Sequence, residues 1–150
     1  MLSKAFPRQH ISFGKETDFQ KKLENQEKIH TIRGNFELWK HNIDKIRNGS
    51  FFLSIRQWAG RAYWSKQVEI KEYKDVGYER ITMMYNPETK KLKAVIGGKA
   101  YENVEEIAKN DGLELNDFID WFFGQGTGRT FFQGVIIHFT KFRYNNSPAI

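Results

Sequence analysis

The densest group of chemically capable side chains lies in the segment EKIHTIR, residues 27–33. Lys28, Thr31 and Arg33 place an amine, a hydroxyl and a guanidinium close together along the chain. On a strand, Thr31 and Arg33 would share a face, and Lys28 would join them only from a preceding turn or a bulge. A lysine whose pKa is lowered by burial or by Arg33 could take the hydroxyl proton of Thr31, which indicates hydroxyl-nucleophile catalysis. The alternative is a basic edge strand whose charges face solvent.

A carboxylate could complete this group from the segment VEIKEY, which contains Glu69 and Glu72. An acid near Lys28 and Thr31 would orient the lysine or carry a proton. A solvated strand face is the alternative, and it is the favoured interpretation of Glu69. The pattern by itself leaves the role of Glu72 open.

A second group, residues 54–66 (SIRQWAGRAYWSK), interleaves cations with large aromatic side chains. Bases stack on aromatic rings with about 1–3 kcal/mol each, and Arg or Lys pairs with phosphates. The pattern is typical of a surface for a nucleotide or a single strand, although tryptophans flanking a hairpin in the core would look the same. The candidate ligand-binding residues are Arg33, Arg56, Trp58, Arg61, Tyr63 and Lys66.

Charge and composition narrow the classes of function. Residues 1–75 contain 15 Lys and Arg against 9 Asp and Glu, whereas residues 76–150 contain nine of each, so the net charge of +6 belongs to the first half. This asymmetry favours a basic face suited to a polyanion or a phosphate. The chain has no cysteine, and its four histidines lack metal-ligand spacing, so we expect neither a metal nor another cofactor. No apolar run is long enough to span a bilayer and the start lacks a signal-peptide pattern, so we expect a cytoplasmic protein without membrane contact.

The elements that must position these residues follow from periodicity and turn signals. Six or seven strands and four short helices are predicted without regular βαβ alternation, which indicates a single α+β domain over residues 1–150. The predicted helices cover 18–25, 36–47, 104–110 and 115–123. The predicted strands cover 10–13, 28–33, 51–58, 67–73, 79–85, 92–96 and 132–144.

The KIHTIR block, followed by Trp39, Gly49, LSIRQW and SKQVEI, resembles the ASCH domain, a branch of the PUA-like superfamily. More narrowly, the chain looks like the small ASCH-like proteins of bacteria and phages, and with the ending IIHFTKFRY the resemblance covers roughly residues 7–144. The resemblance implies a small β-barrel of about six strands surrounded by short helices. It also implies a cleft, lined by the Lys–Thr–Arg motif, that binds RNA or a nucleotide.

One branch of that family is an amidohydrolase that removes the acetyl group from acetylated cytidine. By position, the resemblance makes Lys28 the base, Thr31 the nucleophile and Glu72 the assisting acid. We therefore expect an RNA- or nucleotide-binding module with a basic, aromatic cleft around residues 28–33 and 56–66. The alternative is an amidohydrolase acting on an acylated base or nucleoside through Lys28, Thr31 and Glu72.

Overall fold

The computed structural model describes residues 2–6, 17–49, 51–58 and 66–145, without the side chains of residues 2–6 and 58. The described strands are β1 (Leu2–Phe6), β2 (His30–Arg33), β3 (Leu53–Trp58), β4 (Gln67–Tyr73), β5 (Gly77–Asn86), β6 (Lys91–Ile96), β7 (Lys99–Tyr101) and β8 (Phe131–His138). The described α-helices are α1 (Phe19–Glu24), α2 (Phe36–Arg47), α3 (Val104–Asn110) and α4 (Leu115–Phe123). The predicted strand at 10–13 lies outside the described residues.

The larger sheet has five antiparallel strands in the order β2-β8-β5-β6-β7. One of its faces carries buried apolar side chains, among them Ile32, Ile81 and Ile136. Helix α4 covers this face, where Phe122 meets Phe132 with ring centroids 5.0 Å apart. Burial of these side chains supplies much of the driving force that holds β2 in place.

Helix α2 covers the opposite face of the same sheet. Its buried side chains Trp39, Ile43 and Ile46 form one apolar stripe, as their spacing predicts. The Asn35 side chain accepts a hydrogen bond from the backbone N–H of Leu38 at 3.2 Å and caps the first turn. The helix runs over residues 36–47, as predicted. The chain therefore passes from β2, within the sheet, to α2, which covers this face of it.

A smaller sheet has the order β1-β3-β4, with β1 parallel and β4 antiparallel to β3. It meets the larger sheet where Tyr73, at the end of β4, stacks on Phe139 with ring centroids 5.0 Å apart. The backbone N–H of Phe139 in turn donates to the carbonyl of Ile29 at 3.0 Å. The end of β4 therefore lies beside the start of β2.

The α+β class is confirmed, but the strands that the structure describes form two sheets and no closed barrel. The last strand ends at His138, whereas the sequence predicted a strand to 144. The backbone N–H groups of Tyr144 and Asn145 donate to the Glu79 carboxylate, so this segment leaves the ladder. No helix in the described ranges has the length and apolar character needed to cross a membrane.

Candidate functional site

Lys28 lies immediately before β2, in an isolated backbone bridge with Asp111 at the end of α3. Its side chain is 2% exposed, and Nζ donates to the Asp111 carbonyl at 2.8 Å and to Asp111 Oδ1 at 3.3 Å. The ammonium also sits 4.3 Å from the centre of the Phe19 ring. Gly112 has a positive φ of 86°, and a Cβ there would lie 3.2 Å from Lys28 Cβ, so a glycine leaves room for the lysine stem. The helix α3 terminus thus forms the wall against which Lys28 packs.

Burial lowers the pKa of Lys28 to about 8, because the charged ammonium is removed from water. The Asp111 carboxylate opposes this shift, whereas the positive charges of Arg33 and Lys22 add to it. Burial by itself would raise the pKa of Asp111, but Lys28, His30 and Arg33 hold it below its ordinary value. Asp111 is therefore ionised, and Lys28 is poised to titrate near neutral pH.

Two further cations lie near Lys28 among the described residues. Lys22 Nζ donates to the Gly112 carbonyl at 2.7 Å, one residue beyond Asp111. Lys22 and Arg33 both act electrostatically on Lys28, and Asp111 is the described carboxylate that acts on it. We call Lys22, Lys28 and Arg33 the cationic group.

A buried polar network continues from Asp111. Because a carboxylate can only accept, His30 Nδ1 donates to Asp111 Oδ1 at 3.3 Å. His30 Nε2 lies 2.6 Å from the Tyr144 hydroxyl oxygen. The same oxygen accepts a hydrogen bond from Asn110 Nδ2 at 3.0 Å. Burial raises the pKa of Tyr144, so its hydroxyl stays neutral. The network fixes the position of the Asp111 carboxylate and hence of Lys28.

His138, opposite His30 on β8, belongs to the same interior. Burial lowers the pKa of His138 to about 4, against the raising effect of Glu79. His138 is therefore neutral at neutral pH, and its Nε2 donates to Glu79 Oε1 at 2.8 Å. His138 is fully buried.

Thr31 and Arg33 lie on the face of β2 opposite His30, as strand alternation predicts. Thr31 is 1% exposed, and Arg33 is half-buried with Nη1 donating to the Ile32 carbonyl at 2.8 Å. The Lys28 ammonium is directed to Asp111, on the His30 side of the strand. The structure thus brings Lys28 together with Asp111 and His30, rather than directing it to Thr31.

Glu72 is exposed on β4, opposite Ser54 of β3. Its neighbour Tyr73 is the residue that stacks beside the start of β2, so Glu72 is near the candidate site but at the surface. On β4, Glu69 is the acid with described side-chain contacts, since it accepts from Ser54 Oγ and lies 4.0 Å from Arg56 Nη2. The carboxylate that contacts Lys28 is therefore Asp111.

The remaining candidate ligand-binding residues lie on β3 or in the part of the sequence between β3 and β4. Arg56 is half-buried on β3, and Lys66 is exposed immediately before β4. Trp58 ends β3, but its side chain is outside the described part, as are Arg61 and Tyr63 altogether. Within the described ranges, no three His, Asp or Glu side chains are grouped so that they could hold a metal ion.

The sequence interpretation missed Asp111, which directly follows the predicted helix 104–110. Asp111 is 83 residues from Lys28, and no local pattern marks an aspartate after a helix as a lysine partner. In comparisons with known proteins, no family model, curated protein or solved structure matches the chain.

Proposed function

We propose that this chain is a binding module for RNA or a nucleotide, which it holds through phosphate groups at the cationic group. The observation that carries the proposal is that two described cations, Lys22 and Arg33, act on buried Lys28, with Asp111 the described carboxylate beside it. A phosphate near half-buried Lys22 or half-buried Arg33 would stabilise protonated Lys28. Lys28 itself is too buried to touch the ligand, so it would act through the electrostatic field.

The strands β3 and β4 extend the proposed surface. Lys66 adds an exposed positive charge there, Arg56 lies beside Glu69, and Trp58, Arg61 and Tyr63 stay predicted partners for bases and phosphates. We propose further that the two sheets are a PUA-like arrangement of the ASCH type, supported by the KIHTIR resemblance and by the α+β class. A protein with an RNA or nucleotide ligand is expected to act in the cytoplasm.

The proposal is tested by fluorescence anisotropy with a labelled single-stranded RNA octamer across a salt series. Each phosphate contact should add about 0.7 to the slope of log Kd against log salt. Arg33→Ala and Lys22→Ala should each weaken binding by about tenfold, which corresponds to about 1.4 kcal/mol. Lys109→Ala, which removes an exposed lysine on α3, is the matched control and should bind like the wild type.

Equal affinity of Arg33→Ala and the wild type would contradict this function, as would binding that does not respond to salt. Absence of binding by a folded wild-type protein would do the same. Thermal unfolding of each variant establishes that a lost affinity reflects the site.

An amidohydrolase is a second candidate, favoured by the lowering of the Lys28 pKa to about 8. A lysine with that pKa can act as a general base, and Thr31 would be the nucleophile toward an acylated base or nucleoside. For this the Lys28 amine would have to turn from Asp111 to the Thr31 side of β2. Incubation with acetylated cytidine should then show turnover that Lys28→Ala and Thr31→Ala abolish. Asp111→Asn and Glu72→Gln would distinguish which carboxylate assists. No turnover by the folded wild type removes this candidate.

A further inference from the structure

A groove of about 740 Å³ lies between the β6–β7 edge of the larger sheet and helices α3 and α4. It is far along the sheet from β2, because three strands separate β2 from β7. Its apolar side chains include Leu92, Val104, Leu115 and Ile119. A groove of this size is sufficient for several side chains of a ligand.

The backbone of β6 is open along part of this groove. Strand β7 pairs with Ala94, Val95 and Ile96 only. On that side of β6, no residue in the described ranges pairs with positions 91–93. Open backbone N–H and carbonyl groups on a sheet edge are able to pair with an added strand.

Three lysines border the same groove. Lys90, Lys91 and Lys93 are exposed, and Glu102 is the one acid among the residues that line it. Lys91 and Lys93 share one face of β6, whereas Leu92 points to the other face because side chains alternate. A strand paired with this edge would therefore meet cations on one face and an apolar side chain on the other.

We propose that this groove binds an extended peptide segment of a partner protein, in which acidic and apolar residues alternate. The peptide adds to the open edge of β6, its acidic side chains pair with Lys91 and Lys93, and its apolar side chains enter the groove beside Leu92. The open edge and the apolar lining select this occupant over a nucleic acid, because a nucleic acid has no peptide backbone with which to pair to β6.

The test is binding of a fluorescein-labelled mixture of blocked octapeptides in which Glu or Asp alternates with Val, Leu or Phe. The paired substitution Lys91→Glu with Lys93→Glu should raise the Kd at least tenfold. Lys40→Glu with Lys109→Glu is the matched control, since both lysines are exposed on helices outside the groove, and it should leave the Kd within about twofold. N-methylation of the alternate peptide amides that face β6 should abolish binding, because a methylated amide cannot donate a hydrogen bond to the strand edge.

In the wild type, bound peptide should shift the backbone amide resonances of residues 91–93, Leu115 and Ile119. The proposal is overturned if the peptide mixture does not bind, if the two charge-reversed proteins bind it equally, or if N-methylated peptides bind as well as the parent. Displacement of bound peptide by the RNA octamer would also overturn it, since it would make the groove part of the nucleic-acid site.

Discussion

Deprotonation of Lys28 should make the protein more stable at alkaline pH. Burial lowers the Lys28 pKa from 10.5 to about 8, while the unfolded chain keeps the ordinary value. Between pH 8 and 10.5 the unfolded state therefore binds more protons, and the free energy of unfolding rises with pH. Below pH 8 the buried Lys28 charge lowers the free energy of unfolding by its full amount, and above pH 10.5 it no longer lowers it. At about 1.4 kcal/mol per pKa unit, the gain across this window is about 3 kcal/mol.

Urea unfolding from neutral pH to pH 10.5 measures this gain against a reference variant. The reference is Lys28→Met combined with Asp111→Asn, which removes both charges and leaves the other titrating groups in place. The single variant Lys28→Met should be the least stable of the three at neutral pH, by about 3–5 kcal/mol, because it leaves the Asp111 carboxylate buried without its cation.

The reasoning is refuted if the stability difference between wild type and reference stays constant across the alkaline window. A single Lys28→Met variant as stable as the wild type at neutral pH would refute the buried ion pair itself.

Three further predictions concern the interior. Burial lowers the His138 pKa from 6.5 to about 4, so the free energy of unfolding should fall as pH drops through this range. The variant His138→Gln keeps a donor to Glu79, and in urea unfolding it should remove about 3 kcal/mol of that pH-dependent loss. Tyr144→Phe removes a hydroxyl that contacts a histidine and an amide, and should lower the free energy of unfolding by about 1–3 kcal/mol at neutral pH. Gly134→Ala would drive its Cβ into the backbone carbonyl at the end of β2 and should lower the free energy of unfolding by at least about 1–3 kcal/mol. Gly126→Ala, with open space around it, is the control and should change the free energy of unfolding by less than about 0.5 kcal/mol in the same thermal or urea unfolding.

Helix α2 shows how much of the fold local sequence determines. Its bounds were predictable because the Asn35 cap, the apolar spacing and the Asn48-Gly49 stop all lie within the segment. The end of β8 was not predictable, since apolar and aromatic residues continue to 144. The contact that ends the strand joins Glu79 to backbone 65 residues away.

The candidate site, like the fold, was only partly predictable from the sequence. The facing of Thr31 with Arg33 followed from strand alternation, and the possibility of a lowered Lys28 pKa followed from burial or a neighbouring guanidinium. The identity of the acid did not follow, because Asp111 reaches Lys28 only through tertiary packing of α3 against the start of β2. Glu72 was the acid that the resemblance assigned to the site, but the structure places it at the surface.

The most direct test of the proposed phosphate site is the pKa of Lys28 itself, followed by NMR of its ε-methylene group with and without saturating RNA octamer. Lys28→Met identifies the resonance. A phosphate bound at the cationic group should raise the pKa from about 8 toward the ordinary value of 10.5, because a nearby anion favours the protonated amine. Binding should accordingly weaken as pH rises above 8. A Lys28 pKa that is unchanged or lowered when RNA is bound would contradict the account.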